Sequence, residues 1–224
     1  MKKRGFTLAE VLITLGIIGV VAAITLPTLM TDTASAQIGP KLAKAVATFE
    51  QANESLLNDE EVDKLTDTGY LSNGNTIPDY IANLGKFLKF STYSQGHTVT
   101  GTSATCAVAA MTTANQILSK DGMLYVITRD KTTTNTAQPP HKQRIGHVWI
   151  DINAATKPNT VGTDAFVFAW YNDGSLRPVG GTNWNENGDA SCKWRTNCAN
   201  DKVPTDYQAC AGAIFENNLK VLYK

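Results

Sequence analysis

The chain opens with a basic leader followed by a long apolar run. Lys2, Lys3 and Arg4 precede a stretch from Val11 to Thr31, 21 positions, that holds no charged residue. A helix needs about 20 predominantly apolar residues to cross a bilayer, so we expect a membrane-spanning helix here. The positive-inside rule places the leader in the cytoplasm and the rest of the chain across the membrane. A buried core helix is the less favoured alternative.

A second helical pattern follows the apolar run. It predicts an amphipathic helix over about residues 40–58, with apolar side chains recurring at helical spacing at Ile38, Leu42, Val46, Phe49 and Leu56. Pro40 after Gly39 fits a kink or a fresh helix start. The sequence therefore predicts one long, interrupted N-terminal helix, and leaves open whether residues 31–40 are helical or extended.

The remainder of the chain predicts a sheet. Residues 59–122 favour loops, with a short helix around 77–87 and an ambiguous stretch at 106–117. Apolar runs bounded by turn residues predict strands at 123–127, 147–152, 165–171 and 175–179, the last two joined as a hairpin through Asn172-Asp173-Gly174. A helix packed on an antiparallel sheet is an α+β fold. In it, Trp149 and Trp170 fall in strands and are expected in the core.

Composition narrows the function classes. The 224 residues are 42% hydrophobic, enough to bury a core, which excludes wholesale disorder. The 20 basic and 20 acidic residues balance, whereas a nucleic-acid-binding protein normally shows a basic excess, so no nucleic-acid partner is indicated.

Glu10 stands at the edge of the apolar run. A carboxylate near hydrocarbon is costly, so it predicts a functional role and a cationic partner. The leader could supply that partner while it remains attached. If the leader is removed after Gly5, the new α-amine on Phe6 becomes the available cation. Because that amine lies at the same end of its own helix, the amine of a neighbouring chain is the more interesting partner.

The segment from Lys3 to Ile13, KRGFTLAEVLI, closely resembles the class III signal sequence of type IV pilins and type II secretion pseudopilins. In that family a prepilin peptidase cuts after the glycine and methylates the amine of the following phenylalanine. The resemblance implies processing at Gly5 and Phe6, an assembly role for Glu10, and a helix-kinking proline at Pro27. It covers about the first 30 residues.

The resemblance also implies an organisation for the whole chain. Residues 1–5 would be the leader, 6–31 the transmembrane and filament-core helix, 32–60 its amphipathic second half, and 61–224 a periplasmic or extracellular α+β head. Such a chain is a structural subunit rather than an enzyme. Its partners would be prepilin peptidase, other subunits and, before assembly, the bacterial inner membrane. Pilus and secretion filament both stay open.

A rival interpretation uses a different cleavage site. Ala34-Ser35-Ala36 has the A-x-A pattern of ordinary signal peptidase, and cleavage there would release a periplasmic or secreted binding protein beginning at Gln37. Trp184 and Trp194, in a polar stretch, would then be its ligand surface, although packing beneath a disulfide loop is favoured for them. The apolar run is longer than the roughly 7–15 residues of an ordinary signal peptide, which argues against this interpretation.

The four cysteines all lie on the side of the span that is predicted to be outside. An even number in an oxidising compartment predicts two disulfides, with three possible connectivities. We favour Cys198–Cys210, with Cys106–Cys192 as the second pair. Zinc is the alternative, but no C-x-x-C pair is present.

Oxygen-bearing side chains suggest calcium as a cofactor. Some pseudopilins bind calcium with a loop beside the sheet, and the corresponding candidate ligands are Asp151, Asn153, Asn159 and Asp164. The segment is not an EF-hand, and Asx turns are the alternative role for these residues. No catalytic motif accompanies the three histidines, which are expected in surface or turn positions: His97, His141 and His147.

Overall fold

The computed structural model describes residues 5, 7–71, 76–93, 96–99, 111, 114–129, 143–154, 156–157, 159–181, 192, 198 and 209–221, without the side chains of 27–34. It divides into two compact units, Met1–Gln37 and Ile38–Lys224, which are treated in turn.

The first helix, α1, runs without interruption over Leu8–Asp59 and belongs to both units. It passes through Pro27 and Pro40, so the stretch 31–40 is helical and Pro40 does not start a new helix. Proline removes one backbone hydrogen bond, and the buried residues that follow Pro40 compensate by packing. The prediction of an interrupted helix was wrong at this point.

In the first unit, Leu8–Leu26 forms a 19-residue helical stretch that is long and apolar enough to cross a membrane. None of its residues is buried, and large apolar side chains are exposed all around it: Leu8, Val11, Leu12, Ile13, Leu15, Ile17, Ile18, Val20, Val21, Ile24 and Leu26. A helix that is apolar on every face suits lipid or the centre of a helix bundle, because water solvates it poorly.

The second unit contains a six-stranded antiparallel sheet in which each strand pairs with the next along the chain. The strands are β1 Phe90–Thr92, β2 Gln116–Ser119, β3 Leu124–Arg129, β4 Arg144–Asp151, β5 Ala165–Tyr171 and β6 Leu176–Pro178. Two short helices accompany them, α2 Ile77–Leu84 and α3 Cys210–Glu216, with a 3-10 turn at Leu65–Asp67. The α+β fold and the β5–β6 hairpin are confirmed.

One face of the sheet packs against the second half of α1. The Phe49 ring stacks on Tyr125 with centroids 5.7 Å apart and meets the edge of Trp170 at 6.3 Å. Tyr80 of α2 packs against the same Trp170 at 4.9 Å. These rings are buried, as are Leu42, Val46 and Leu56 of the same helix face, and Ile38 is half-buried. The predicted helix-on-sheet core is therefore present.

The opposite face of the sheet is also covered. Alternate residues of a strand point to opposite faces, and all seven residues of β5 are buried. The second cluster combines strand residues with the cysteine-bearing segment, and it includes Leu124, Val126, Trp149, Val167, Tyr171, Cys192, Cys198, Cys210 and Ala213. Trp149 and Trp170 thus lie in the core, as the sequence predicted.

Buried polar groups join α1 to the β5–β6 turn. The Asn53 amide donates to the Gly174 carbonyl at 3.0 Å, and its oxygen accepts from the Tyr80 hydroxyl. Gly174 has a φ of +85°, and a Cβ there would lie 2.7 Å from the Asn53 Cβ. The carbonyl of Asn172 accepts from the Leu65 N–H at 2.8 Å. The turn therefore fixes both α1 and the 3-10 turn against the sheet.

Candidate functional site

Glu10 and Thr7 form a reciprocal cap at the start of α1. Oε2 of Glu10 accepts from the backbone N–H and from the hydroxyl of Thr7, each at 2.8 Å. The Thr7 Oγ1 in turn accepts from the Glu10 N–H at 3.3 Å. This arrangement is a capping box, with Thr7 at the N-cap and Glu10 three residues later. Sequence reasoning missed it, although a threonine, two residues and a glutamate before an apolar run are its signature.

The cap gives the Glu10 carboxylate hydrogen-bond donors within its own chain. These donors are neutral, so they satisfy the lone pairs of the oxygen without cancelling its charge. Phe6 and the basic leader lie outside the described residues, and the predicted pairing of Glu10 with an amine stays a prediction. The side chain of Pro27 is likewise not described, although its backbone is helical.

Gly5 has no packing requirement for glycine in the described part of the chain. A Cβ built there would meet nothing within 4 Å, and its φ is not in the left-handed region. Gly5 and Thr7 precede the first helical residue, Leu8. The described residues on either side of Phe6 are therefore outside the helix.

The loop between β4 and β5 brings the four candidate calcium ligands together. Oδ2 of Asp164 accepts from the Asn159 N–H at 2.7 Å and contacts Nδ2 of Asn153 at 3.4 Å. Oδ1 of Asp151 accepts from the Asn153 N–H at 3.0 Å. The carboxylates of Asp151 and Asp164 already accept N–H donors, which is the Asx-turn arrangement, whereas the buried Oδ1 of Asn153 has no hydrogen-bond partner among the described residues. Calcium binding stays a prediction.

His97 joins this loop from a distant part of the sequence. Its Nε2 lies 2.8 Å from Oδ2 of Asp151, and both side chains are buried. His147, on β4, is buried as well, so the prediction of surface positions was wrong for these two histidines. The reason is that the sheet is covered on both faces, which a sequence pattern around single histidines does not reveal. His141 lies outside the described residues.

Burial changes the acidity of Asp151. It raises the pKa of this carboxyl from 3.8 to about 6, while hydrogen bonds from Asn153 and His97 oppose the rise. The charge of Asp164 raises the pKa of Asp151 further. Two buried carboxylates thus share one loop, and in the described residues no group of three or more His, Cys, Asp or Glu side chains is placed to hold a metal ion.

The C-terminal region is closed by a disulfide between Cys198 and Cys210, whose Cα atoms are 5.3 Å apart. This confirms the favoured pair and removes both sulfurs from any zinc site. Cys192 is buried and also disulfide-bonded. Cys106 lies outside the described residues, so the Cys106–Cys192 pair stays a prediction, as do the proposed roles of Trp184 and Trp194 for the same reason.

Comparison with known proteins bears on the N-terminal segment. Residues 1–26 match the family model described as the prokaryotic N-terminal methylation motif. No curated protein and no solved structure matches the chain. The match spans Gly5, Phe6 and Glu10 and ends where the exposed apolar stretch Leu8–Leu26 ends. At residues 1–26 the chain therefore carries the methylation motif that is the signature of type IV pilins and pseudopilins.

Proposed function

We propose that this chain is the precursor of a filament subunit, a type IV pilin or a type II secretion pseudopilin. Prepilin peptidase cuts it after Gly5 and methylates the amine of Phe6. Residues 6–31 cross the inner membrane once, and residues 61–224 form a head on the periplasmic side, before the subunit enters a filament. The observation that carries the proposal is the methylation motif at residues 1–26, in register with an exposed apolar helix.

The start of α1 supports the processing step. Peptidases bind their substrates in extended form, and the helix begins only at Leu8. Glycine at position 5 is not demanded by packing within the described chain. We therefore attribute any requirement for glycine at this position to the binding site of the peptidase. The capping box of Thr7 and Glu10 then starts the helix two residues after the cut.

The proposed assembly step depends on the negative charge of Glu10, which the neutral hydrogen-bond donors of Thr7 do not neutralise. In the lone subunit, Glu10 is hydrogen-bonded to Thr7 but keeps its negative charge beside an apolar helix. Transfer of the helix into a bundle of like helices would bury that charge, which is costly without a cation. The methylated Phe6 amine of a neighbouring subunit supplies the cation, and packing of the exposed apolar side chains supplies cohesion.

Two substitutions of Glu10 test this proposal in cells that assemble the filament. Glu10→Gln keeps a hydrogen-bond acceptor for Thr7 but removes the charge, and Glu10→Ala removes both. We expect both variants to be cleaved normally. Their incorporation into filaments should fall at least about tenfold, which corresponds to a loss of about 1.4 kcal/mol in the free energy of assembly. Glu54→Ala, at another exposed glutamate of α1, is the matched control and should assemble normally. Wild-type assembly of Glu10→Gln would contradict the charge pairing.

The alternative is a periplasmic or secreted binding protein beginning at Gln37. One observation favours it: the second compact unit starts at Ile38, directly after that point. Another opposes it, because residues 34–36 lie within the continuous helix α1 rather than in an extended segment. The two proposals predict different mature N-termini, which makes them separable by mass.

A further inference from the structure

The end of β4 and the loop that follows it contain two carboxylates that are almost completely buried. Asp151 is 0% exposed and Asp164 is 2% exposed. Burying an ionised carboxylate is costly unless hydrogen bonds or an opposite charge compensate it. The resemblance to pseudopilins suggests a calcium ion for this task, so the fit of the loop to such an ion can be tested atom by atom.

The burial of the Asp164 carboxylate is compensated by hydrogen bonds within the loop. Its Oδ1 accepts from the Thr160 N–H at 2.6 Å, and its Oδ2 accepts from the Asn159 N–H at 2.7 Å. Hydrogen bonds from backbone N–H groups to a carboxylate are charge-assisted and strong. Both oxygens of Asp164 are thereby directed at the backbone of its own turn rather than at a shared centre.

The carbonyl groups of the loop are also in use. In its hydrogen-bonded orientation, the Asn159 amide donates to the carbonyl of Thr156 at 2.8 Å and to that of Ala154 at 3.2 Å. Carbonyl and amide oxygens are typical calcium ligands. In that orientation two of the carbonyls face an amide donor, and the buried Oδ1 of Asn153 is the loop oxygen that has no hydrogen-bond partner among the described residues.

The carboxylate of Asp151 is compensated by one group of the loop and by one residue outside it. Its Oδ1 accepts from the Asn153 N–H at 3.0 Å, and its Oδ2 pairs with Nε2 of His97 at 2.8 Å. His97 is itself fixed by Gln116 of β2. The backbone N–H of His97 donates to the side-chain oxygen of Gln116 at 3.0 Å. The side-chain amide of Gln116 donates back to the backbone carbonyl of His97 at 2.7 Å.

These contacts describe a loop whose acidic groups are already partnered. We propose that His97 takes the position that a bound cation would take beside Asp151, so that the β4–β5 loop is closed by hydrogen bonds and the head does not need calcium. His97 is then a positioning residue. It ties the end of β4 to β2 through Asp151 and Gln116, over sequence separations of 54 and 19 residues.

Thermal unfolding of the full chain in detergent tests the proposal. We expect the same midpoint, within about 1 °C, in EGTA and in millimolar CaCl₂, because a ligand that binds only the native state would raise it. A midpoint several degrees higher in calcium would overturn the proposal. So would saturable binding of calcium to the wild-type chain in the same buffer.

Variants test the role of His97 itself. His97→Ala leaves Asp151 without its side-chain partner, and we expect the midpoint to fall by about 5 °C or more in both buffers. Asp173→Asn is the matched control, since Asp173 is an exposed carboxylate that also accepts backbone and hydroxyl donors in a turn. Equal midpoints for the two variants would overturn the proposal.

A spectroscopic measurement covers the case in which His97→Ala does not fold. In the wild-type chain, ¹⁵N-labelled histidine should show a His97 Nε2 proton that exchanges slowly and is unaffected by calcium. A rapidly exchanging or calcium-sensitive His97 signal would contradict the proposed position of this side chain.

Discussion

Thr7 and Glu10 satisfy each other at the first turn of α1, with two donors from Thr7 on one carboxylate oxygen and one N–H of Glu10 on the threonine hydroxyl. The same glutamate therefore has a defined position before any partner arrives. The helix that it caps is apolar on every face from Leu8 to Leu26, so the carboxylate stands at the end of a long exposed apolar stretch. In the proposed assembly, capping and charge pairing are successive uses of this one side chain.

Loss of the Thr7 hydroxyl tests the cap. Thr7→Val keeps the shape of the side chain but removes a donor to Glu10 and the acceptor of the Glu10 N–H. Loss of an N-cap costs about 0.5–2 kcal/mol, so we expect filament incorporation to fall by about 2- to 30-fold with the leader still cleaved. The measurement is the ratio of filament to membrane subunit on immunoblots.

Thr14→Val is the control for this variant. The Thr14 hydroxyl donates to the carbonyls of Glu10 and Val11, which are already part of the helix backbone, so its loss should change little. If Thr7→Val and Thr14→Val assembled equally well, the cap would have no part in assembly.

Close packing at Gly39 predicts a large effect of one methyl group. A Cβ at Gly39 would lie 1.9 Å from the carbonyl oxygen of Leu219, in the segment after α3. Gly39→Ala must displace that backbone, and we expect the free energy of unfolding to fall by about 1–3 kcal/mol. Gly69→Ala is the control, since a Cβ there meets nothing within 4 Å. Urea denaturation followed by tryptophan fluorescence measures both, and equal stability would contradict the contact.

The disulfide predicts a stability cost on its removal. Cys198 and Cys210 are buried and 12 positions apart, so cross-linking them restricts the unfolded chain over a short loop. The double variant Cys198→Ala/Cys210→Ala should lose about 2–4 kcal/mol of unfolding free energy under oxidising conditions. Denaturation at a fixed, non-reducing redox potential is the measurement. An unchanged midpoint and slope would mean that the bridge does not form.

The raised pKa of Asp151 predicts a pH dependence with a definite sign. The carboxyl binds a proton more readily in the folded state, with a pKa of about 6, than at its ordinary value of 3.8. Its contribution is fully present below the lower value and is lost as the pH rises through about 6. We expect wild-type stability to decrease by about 1–3 kcal/mol across that window, and less in Asp151→Asn.

A second carboxyl must be separated from this effect. Burial also raises the pKa of Glu50, which accepts the Leu176 N–H at 2.7 Å, so Glu50 contributes with the same sign. The difference between wild type and Asp151→Asn across the window is therefore the quantity to measure. An identical pH profile for the two proteins would contradict the assignment to Asp151.

Strands β4 and β5 could be predicted because they are continuous apolar runs bounded by turn residues. Strands β1 and β2 could not be predicted in this way. Strand β1 has only three residues, two of them exposed, and it is defined as a strand by its pairing with β2. Helix α3 is short and begins at a disulfide cysteine, so its helical character depends on packing beside β5 and β6.

The N-terminal motif could be recognised from the sequence because its residues are adjacent in the chain. A charged residue beside an apolar run can be identified without knowledge of the fold. The pair of His97 and Asp151 could not, since 54 residues separate them and only the order of strands brings them together. The same holds for Asn53 and Gly174, 121 residues apart, which meet because α1 crosses the β5–β6 turn.

The intact mass and the N-terminal peptide of the protein from its host's membrane fraction test the central claim most directly. The account predicts a chain that begins at Phe6 and is heavier by one methylene unit from N-methylation, together with normal cleavage and the same modification in the Thr7→Val variant. A chain beginning at Gln37 in the soluble fraction would contradict it, because the apolar helix would then have been discarded rather than built into a filament.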